Sequence, residues 1–503
     1  MRMKDLPDKL YSVKSVVQLE QIAIQQYDIP AYELMKRAGK AIFHVIQKKY
    51  SQHKNILVLC GAGNNAGDGY VLARLAKQAG FSTRVISLMD VDSLRGTALL
   101  AYQDWSGTGR NEAVDEAFIE EADLIVDALL GTGLKRDVSG DWAQWIDRVN
   151  HSGKPVIAVD VPSGLIADTG RIAGHAIQAT ITVSFIGLKQ GMFTAHARDV
   201  CGQILFDDLG LPAGLYSRVK SDARLIRQAD YSLLPRRKAS SHKGCFGHVL
   251  IVGGNKTMPG AVILAARAAL RSGAGLLTII TVAENLSAIS SAVPEAMIMT
   301  CELNSVREVF SGKITTGVTH VAVGMGLAQD DWSLAVLKRC VALKKPMLID
   351  ADALSLMARH ELNLESTTVI TPHPGEAARL LSESGDISSA DVQKDRFEAV
   401  KRLYRLLNNN EPGTVVLKGS GTLIFDGQTI KICTLGNAAM AAPGMGDVLS
   451  GITIALMAQI AEINDAVELA VCLHSAAADS VVSGNTRGLL ASDVIEALPG
   501  MLP

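Results

Sequence analysis

Residues 55–80, NILVLCGAGNNAGDGYVLARLAKQAG, join a short apolar run to a glycine-rich loop and then to a helical pattern. The run NILVLC predicts a buried β-strand, and YVLARLAKQAG predicts the helix that follows it. Further strands are predicted within 82–89, 122–133, 154–164 and 180–187. Strands that alternate with helices and end in Gly, Asp and Ser loops indicate a parallel sheet with its site at the carboxyl ends of the strands.

A second series of strand-like runs begins after the polar, basic stretch 213–243, which lacks a regular hydrophobic period. These runs lie at 247–254, 274–281, 319–326, 345–354, 367–376 and 413–424. The motifs of the two series differ, and a chain of 503 residues exceeds one ordinary domain. We therefore predict two unrelated α/β domains, residues 1–222 and 223–503.

The composition excludes several classes of protein. A formal net charge of −2 offers no basic surface for nucleic acid or anionic lipid. Seven cysteines without a CxxC pair argue against a disulfide framework and a zinc site, and favour a reducing compartment. The amino terminus lacks a signal-peptide core, and no apolar run approaches the ~18 residues of a membrane helix. We expect a soluble, cytoplasmic homo-oligomer with no nucleic-acid or membrane partner.

The loop GAGNNAGDG fits G-x-G-x-x-G/A at Gly61, Gly63 and Ala66, a pattern that alone is only weakly typical of dinucleotide binding. A ribose-binding acid is expected about 20 residues on. Asp90 lies 29 positions past Gly61 and fits this poorly. The asparagines could instead join the strand-end residues Asp127 and Ser163 in binding a hard cation. They could also be left-handed turn residues, and the pattern leaves both interpretations open.

The order and spacing of GAGNNAGDG, VDALLGTG and VDVPSG resemble the epimerase domain that recognises hydrated nicotinamide cofactors, over about residues 10–215. The resemblance implies a Rossmann-like domain that interconverts the R and S epimers of NADH hydrate and NADPH hydrate. It implies a potassium ion held by Asn65, Asp127 and Ser163, with Asp160 and Lys189 as catalytic residues. The implied substrate contacts are Asn64, Asn65, Ala66, Gly67, Asp68, Gly131, Thr132, Gly133, Leu134, Lys135, Arg136, Asp137 and Asp160. Ala66 stands where the family usually has glycine.

In the second half, APGMGDVLSG (442–451) places a single acid, Asp447, before an apolar helical run over 448–461. By itself this pattern favours Asp447 as the N-cap of the helix. N–H groups at a glycine-lined helix start could instead bind an anion. The acid would then act on the molecule that carries this anion. LKGSGT (417–422) offers a lysine and backbone N–H groups to a phosphate, but it lacks the Walker A spacing. His373, between two prolines, is more often structural or solvated.

Together these motifs resemble the ribokinase-like dehydratases that act on hydrated nicotinamide cofactors, over about residues 225–503. The resemblance implies that Asp447 is a catalytic base, that ADP or ATP is the co-substrate and that Mg²⁺ takes part. The implied nucleotide contacts are Lys418, Gly419, Ser420, Gly421, Thr422 and Gly446. The implied hydrate contacts are Ala261, Gly326, His373 and Asp447. The chain departs from the family pattern at GMGLA (324–328), Pro443, Met445 and GNAAMA (436–441).

Two alternatives stand beside this hypothesis. A ribokinase-like small-molecule kinase with an appended dinucleotide-binding domain would release a phosphorylated product. A dehydratase would release AMP, phosphate and the restored cofactor. In the other alternative the first domain is a noncatalytic binding module, against which the presence of Asn65, Asp127, Asp160 and Ser163 argues.

Overall fold

The computed structural model describes residues 6–503 except 235, 383–385, 408–412, 483 and 485. The chain divides into two compact units, Met1–Leu225 and Ile226–Pro503. The domain boundary predicted after residue 222 lies three residues before this division. Within the described part of the chain, no helix has the length and apolar character needed to cross a bilayer.

The elements of the first unit alternate between strands and helices. The strands are β1 (Lys9–Tyr11), β2 (Asn55–Cys60), β3 (Ser82–Ser87), β4 (Asn111–Glu112), β5 (Leu124–Ala128), β6 (Val156–Val159), β7 (Ile181–Phe185), β8 (Leu188–Lys189) and β9 (Gln203–Asp207), with β10 (Ala223–Ile226) at the boundary. The helices are α1 (Val13–Gln26), α2 (Ala31–Lys49), α3 (Asn64–Gln78), α4 (Gly96–Ser106), α5 (Ala117–Glu121), α6 (Asp141–His151) and α7 (Ala197–Val200).

Seven of these strands form a parallel sheet in the order β4-β3-β2-β5-β6-β7-β9. Apolar residues of α2, α3 and α4 form one core with the strands, and apolar residues of α6 form another. Helix α3 lies very close to the sheet, because a Cβ added to Gly69 would be 2.7 Å from the Cβ of Ala128. The predicted strands at 55–60, 82–89, 122–133, 154–164 and 180–187 are confirmed, mostly in shorter form.

The glycine-rich loop is shorter than the sequence indicates, because α3 begins at Asn64. Gly63 is its N-cap, with φ −98° and ψ −170°, so the chain turns from β2 directly into the helix. Neither Asn64 nor Asn65 has a positive φ, and the interpretation of these asparagines as left-handed turn residues is wrong. Both amides are instead placed in the first turn of a helix at the carboxyl end of β2.

The second unit is also an α/β structure. Its strands are β11 (His248–Val252), β12 (Leu276–Thr281), β13 (Met297–Thr300), β14 (His320–Val323), β15 (Met347–Ile349), β16 (Thr368–Ile370), β17 (Gly413–Leu417), β18 (Thr422–Phe425) and β19 (Ile430–Cys433). Its helices are α8 (Pro259–Arg271), α9 (Leu286–Ala292), α10 (Val306–Phe310), α11 (Lys313–Thr316), α12 (Asp331–Ala342), α13 (Asp352–Met357), α14 (Pro374–Leu381), α15 (Ser389–Lys394), α16 (Arg396–Leu406), α17 (Met445–Met457), α18 (Ile463–Val481) and α19 (Ala491–Ala497).

The strands of this unit are ordered β13-β12-β11-β14-β15-β16-β17-β18-β19, parallel as far as β17 and antiparallel beyond it. The run 413–424, predicted as one strand, is therefore a hairpin. Its turn uses positive φ angles at Gly419 (139°) and Gly421 (62°), which glycine adopts readily. The sequence also missed β10, because a four-residue strand in a basic stretch has no detectable period.

Helix α17 starts earlier than predicted, at Met445 rather than Val448. Its N-cap is Gly444, which has a left-handed φ of 83° and no side chain to cap the helix. The N-cap prediction for Asp447 is therefore wrong, and its carboxylate lies within the first turn. Helix α17 packs tightly on α8, because a Cβ at Gly451 would be 2.1 Å from the Ala265 carbonyl oxygen. Because most residues of α17 are buried, the packing of this helix fixes the position of its N-terminal turn.

Candidate active sites

The first unit has a cavity of about 770 Å³ at the carboxyl ends of β2, β5, β6 and β7. The predicted site residues that line it are Asn64, Asn65, Asp68, Gly131, Thr132, Gly133, Leu134, Lys135, Arg136, Asp160 and Lys189. Ala66, Gly67 and Asp137 do not line it. Ala66 and Gly67 are buried in α3, and Asp137 is exposed and pairs with Arg171 at 2.9 Å.

Asp160 and Lys189 form an ion pair on the cavity wall. Asp160 follows β6 with a left-handed φ of 65°, an uncommon conformation for a residue other than glycine. Its Oδ1 accepts hydrogen bonds from the Phe185 N–H at 3.1 Å and from Lys189 Nζ. Lys189 also donates to the Ser184 hydroxyl at 3.2 Å and to the Phe185 carbonyl at 3.1 Å. The carboxylate is thus fixed in direction although it lies on a loop.

Two further acids, Glu20 and Asp68, line the same cavity. Burial raises the pKa of Asp68 well above its usual range, the Asp160 carboxylate raises it further, and Lys189 opposes this shift. Burial and Asp160 also raise the pKa of Glu20. Sequence reasoning missed Glu20. Its spacing in the sequence could have identified it, because Glu20 lies on the same face of α1 as Val13 and Val16, which also line the cavity.

Beneath the cavity, the Asp127 carboxylate is completely buried. It accepts hydrogen bonds from the Ser163 N–H at 2.8 Å, from the Ser163 hydroxyl at 2.5 Å and from the Leu129 N–H at 3.2 Å. Burial raises its pKa to about 6, against the effect of these hydrogen bonds. The Leu130 carbonyl accepts from Asn65 Nδ2 at 3.2 Å and lies 3.1 Å from the Ser163 hydroxyl oxygen, which accepts from the Leu130 N–H at 2.8 Å. The three predicted cation ligands therefore form one cluster, which the Leu130 carbonyl joins.

This cluster has the chemistry that a monovalent cation requires. It combines one carboxylate with amide, hydroxyl and carbonyl oxygens, which are hard ligands. A buried carboxylate is costly without a compensating charge. The oxygen set fits a potassium ion, which would neutralise Asp127.

In the second unit, the predicted nucleotide residue Lys418 directly follows β17, and its side chain is one-fifth exposed. Its Nζ lies 2.8 Å from Asp350 Oδ1 and 3.8 Å from Glu376 Oε2. A Cβ at Gly446 would be 3.4 Å from the same Nζ, which places this ammonium at the first turn of α17. Lys418 and Gly446, which are far apart in sequence, are therefore neighbours. Asp350 and Glu376 were missed by sequence reasoning, although Asp350 directly follows β15 and Glu376 lies in the first turn of α14, within the runs 345–354 and 367–376.

Residues 418–422 form the turn of the β17–β18 hairpin, so Gly419, Ser420, Gly421 and Thr422 lie together. The buried Arg396 supports this turn by donating to the Leu417 carbonyl at 3.0 Å and to the Lys418 carbonyl at 3.3 Å. A Cβ at Gly419 would be 2.8 Å from Arg396 Nη1, so the close approach requires glycine. Arg396 was not predicted, because an arginine in an amphipathic helix usually faces solvent.

Two of the predicted hydrate contacts are adjacent, since a Cβ at Gly326 would be 3.1 Å from the Ala261 Cβ. A third, His373, caps α14, where its Nδ1 accepts hydrogen bonds from the Gly375 and Glu376 N–H groups. Burial lowers the pKa of His373, and Lys418 lowers it further. His373 therefore caps a helix, which is the structural role that its position before Pro374 favours. Its ring is half exposed and lies close enough to Lys418 for that positive charge to lower its pKa.

Asp447 lies in the first turn of α17, beside this charged group. Burial raises its pKa to about 7, Asp350 raises it further and Lys418 lowers it. A carboxyl group whose pKa lies near neutrality can accept a proton efficiently at physiological pH. The N–H groups of the same turn have no partner within the helix and are available to an anion. The Asp447 carboxylate and these N–H groups therefore lie in the same helical turn.

Comparisons with known proteins match both halves of the chain. Residues 31–191 match a family described as YjeF-related protein N-terminus, and residues 249–500 match one described as NAD(P)H-hydrate dehydratase. A bifunctional NAD(P)H-hydrate repair enzyme of Vibrio cholerae is 41% identical over 99% of each chain. Its counterpart in Escherichia coli is 40% identical over 98% of this chain and 94% of its own.

Among solved structures, the ADP/ATP-dependent NAD(P)H-hydrate dehydratase of Bacillus subtilis, co-crystallised with ATP/Mg²⁺, is similar. It is 30% identical, covers 54% of this chain and 94% of its own, and has a TM-score of 0.48.

The two sites, on a Rossmann-like and a ribokinase-like domain, define an α/β enzyme of two activities. The chain belongs to the family of bifunctional NAD(P)H-hydrate repair enzymes, with an epimerase domain followed by a dehydratase domain.

Proposed function

We propose that the cavity of the first unit is where R- and S-NAD(P)H hydrate interconvert. The observation that carries this proposal is the fixed ion pair of Asp160 and Lys189 on the cavity wall. In the hydrate, the ring nitrogen lone pair can expel the hydroxyl group as water once it is protonated. Water can then return to the flat cation from either face, with loss of a proton. Asp160, paired with Lys189, is the group that takes this proton.

We also propose that Asn65, Asp127 and Ser163 hold a potassium ion, with the Leu130 carbonyl as a further ligand. The shared hydrogen bonds of these residues and the complete burial of Asp127 support this assignment. The ion would supply a fixed positive charge beneath the substrate. The residues themselves then order the segment 130–136, which forms one wall of the cavity.

For the second unit, we propose that ADP, or ATP, phosphorylates the ring hydroxyl of the S hydrate. Asp447 accepts the hydroxyl proton, and the N–H groups at the start of α17 stabilise the charge on the transferred phosphoryl group. Loss of phosphate, together with a proton from the neighbouring ring carbon, then restores the dihydropyridine, and the nucleotide leaves as AMP from ADP or as ADP from ATP. Lys418 to Thr422 and Gly446 contact the nucleotide, while Ala261, Gly326 and His373 contact the hydrate. The observation that carries this assignment is the position of Asp447 in the first turn of α17, where the Lys418 ammonium lies next to Gly446, and the raised pKa of Asp447 supports it.

Mg²⁺ would accompany the nucleotide and neutralise its phosphates. It usually binds through one or two carboxylates and the substrate phosphates rather than through a complete set of protein ligands. The described residues contain no group of three or more His, Cys, Asp and Glu side chains that could hold a metal ion. Seven cysteines without a CxxC pair support the proposal of a cytoplasmic, reducing location. We further propose a homo-oligomer, which light scattering would measure.

One assay tests both activities. Purified protein is mixed with a resolved S- or R-NADH hydrate and with ADP or ATP, and the dihydronicotinamide absorbance is followed. We expect rapid recovery from the S form, recovery from the R form after epimerisation, and a higher rate with ADP than with ATP. A phosphorylated hydrate that accumulates without recovery of NADH would favour the kinase alternative. A clear preference for ATP would contradict the prediction that ADP is the better co-substrate, but it would not contradict the proposed dehydratase activity.

A further inference from the structure

The side chain of Asp350 joins three segments of the dehydratase domain. Its Oδ1 is 2.8 Å from Lys418 Nζ, and its Oδ2 accepts a hydrogen bond from the Ser450 hydroxyl at 2.6 Å. Asp350 follows β15, Lys418 ends the β17 segment, and Ser450 lies in α17. Both oxygens of one carboxylate are thus committed to partners on different elements.

The position of Asp350 is itself fixed. Its side chain is almost completely buried, and its N–H donates to the Val323 carbonyl at 3.1 Å. A Cβ at Gly324 would be 1.8 Å from the Asp350 carbonyl oxygen, so only glycine permits this approach of the two strand ends. Ser450 is also buried, one helical turn after Asp447. The carboxylate therefore has little freedom to turn away.

This arrangement determines where the Lys418 ammonium lies. The lysine has a flexible four-carbon stem, and an ammonium without a fixed partner would occupy several positions. Here its partner is anchored to α17 through Ser450, and Nζ is close to Gly446 in the first turn of that helix. The distance between the ammonium and Asp447 is therefore set by Asp350 rather than by Lys418 alone.

We propose that Asp350 is a positioning residue for the dehydratase reaction, which holds the Lys418 ammonium at the start of α17 and so sets both the phosphoryl contact and the ionisation of Asp447. The proposal rests on the function proposed above for Asp447. Asp350 touches neither nucleotide nor hydrate in this scheme. It acts through Lys418.

The charges around Asp447 give this proposal a measurable consequence. Burial raises the pKa of Asp447, the carboxylates of Asp350, Asp352 and Glu376 raise it further, and Lys418 lowers it. The other titratable groups on elements packed against α17 are Arg267, Arg271, His320, Asp465, Glu468, Cys472, His474, Asp479, Asp493 and Glu496. Removal of the Asp350 charge takes away the largest charge effect that raises this pKa and releases Lys418, whose opposing effect is smaller. The pKa of Asp447 should then fall.

Asp352 offers a matched control on the next helix. It also raises the pKa of Asp447, but its carboxylate accepts from the Ala328 N–H at 2.9 Å and is not among the partners of Lys418. Asp352→Asn therefore removes a comparable charge without releasing the ammonium. A second variant, Ser450→Ala, keeps the ion pair and removes only one anchor of Asp350.

The experiment measures kcat and kcat/KM for S-NADH hydrate with ADP between pH 5 and 9 in the full-length variants. For Asp350→Asn we expect kcat to fall roughly 10- to 100-fold, as for a misplaced catalytic group. The acid limb of kcat/KM should also move to lower pH. Asp352→Asn should move this limb slightly with kcat near the parent value, and Ser450→Ala should reduce kcat less than Asp350→Asn does.

Epimerase activity in the same chains reports whether each variant is folded as a whole. If Asp350→Asn lowers kcat but leaves the acid limb at the parent pH, its role is structural and the proposal is overturned. Parent kcat in Asp350→Asn would overturn it as well. If Asp350→Asn proves insoluble, Ser450→Ala decides, since parent kcat and pH profile there contradict the proposal. An inactive parent protein would refute the proposed dehydratase function, whereas an active parent with an unaffected Asp350→Asn refutes only this inference.

Discussion

The Lys189 ammonium is paired with the Asp160 carboxylate, and the lysine side chain is only 1% exposed while the carboxylate faces the epimerase cavity. Lys189 is therefore the buried member of the pair, and Asp160 is the member that a molecule in the cavity can reach. A variant of Asp160 alone would remove the reacting carboxylate and would also leave a buried cation without a partner. The two effects have to be separated by experiment.

For this reason we predict the behaviour of two variants together. Asp160→Asn should abolish epimerisation and destabilise the first domain by about 3–5 kcal/mol, because Lys189 loses its counter-charge. Asp160→Asn combined with Lys189→Met should recover much of that stability and remain inactive as an epimerase. Chiral separation of the hydrates measures epimerisation, and dehydration of the S hydrate is the internal control. Epimerisation at the parent rate in the double variant would remove Asp160 from the mechanism.

The potassium assignment predicts a cation dependence. Epimerase activity and the melting temperature of the first domain should both rise with KCl more than with LiCl at equal ionic strength. Asp127→Asn should lose most of this difference, because it removes the only carboxylate of the proposed ligand set. The measurement is a salt titration followed by calorimetry and by the epimerase assay. Equal responses of the parent protein to both salts would count against a bound potassium ion.

The position of Asp447 inside the first turn of α17 gives a prediction for activity. Asp447→Asn should lower the dehydratase rate by at least ~100-fold, because a general base is typically worth ~10²–10⁴-fold. In the parent protein the rate should rise with pH up to about pH 7, where the Asp447 carboxyl loses its proton. Epimerase activity should not change. If Asp447→Asn dehydrates the hydrate at the parent rate, the base is a different group.

The same raised pKa predicts an effect on stability. The folded protein holds the Asp447 proton up to about pH 7, whereas the unfolded chain releases it near pH 4, so the parent protein loses stability as pH rises through this interval. Asp447→Asn avoids that loss. It should be more stable than the parent at pH 8 by on the order of 2–4 kcal/mol, with a smaller difference at pH 4. Calorimetry of the transition that ADP shifts would measure it, and equal pH dependence in both proteins would contradict it.

Arg396 supports the hairpin turn between β17 and β18, so a change at this residue should affect nucleotide binding. Arg396→Lys cannot hold the Leu417 and Lys418 carbonyls together, since lysine lacks the planar fork of donors. We expect the KM for ADP to rise about tenfold, as a loss of about 1.4 kcal/mol implies, with an unchanged pH profile. Arg405→Lys is the matched control, because Arg405 is exposed on the same helix and pairs with Glu398. An equal KM in both variants would show that Arg396 does not support the site.

The sequence by itself determined the elements and the two-domain order. Apolar runs such as NILVLC and HVLIV specify buried strands locally, and glycines such as Gly324 and Gly419 mark places where two chain segments approach closely. Motif order was enough to indicate the family. It did not show where α3 and α17 begin, because Gly63 and Gly444 carry no capping side chain and the start of each helix depends on backbone conformation.

Only the tertiary structure decided which charges meet. Lys418 and Asp350 are 68 positions apart, and no local period reports that the ends of β15 and β17 bring them to 2.8 Å. Glu20 has an ordinary helical position in the sequence, and it acquires a raised pKa because α1 faces the cavity of Asp160. The ionisation of a carboxyl group depends on its burial and on charges brought near it by folding, whereas the periodicity that specifies a strand or helix is a property of neighbouring residues.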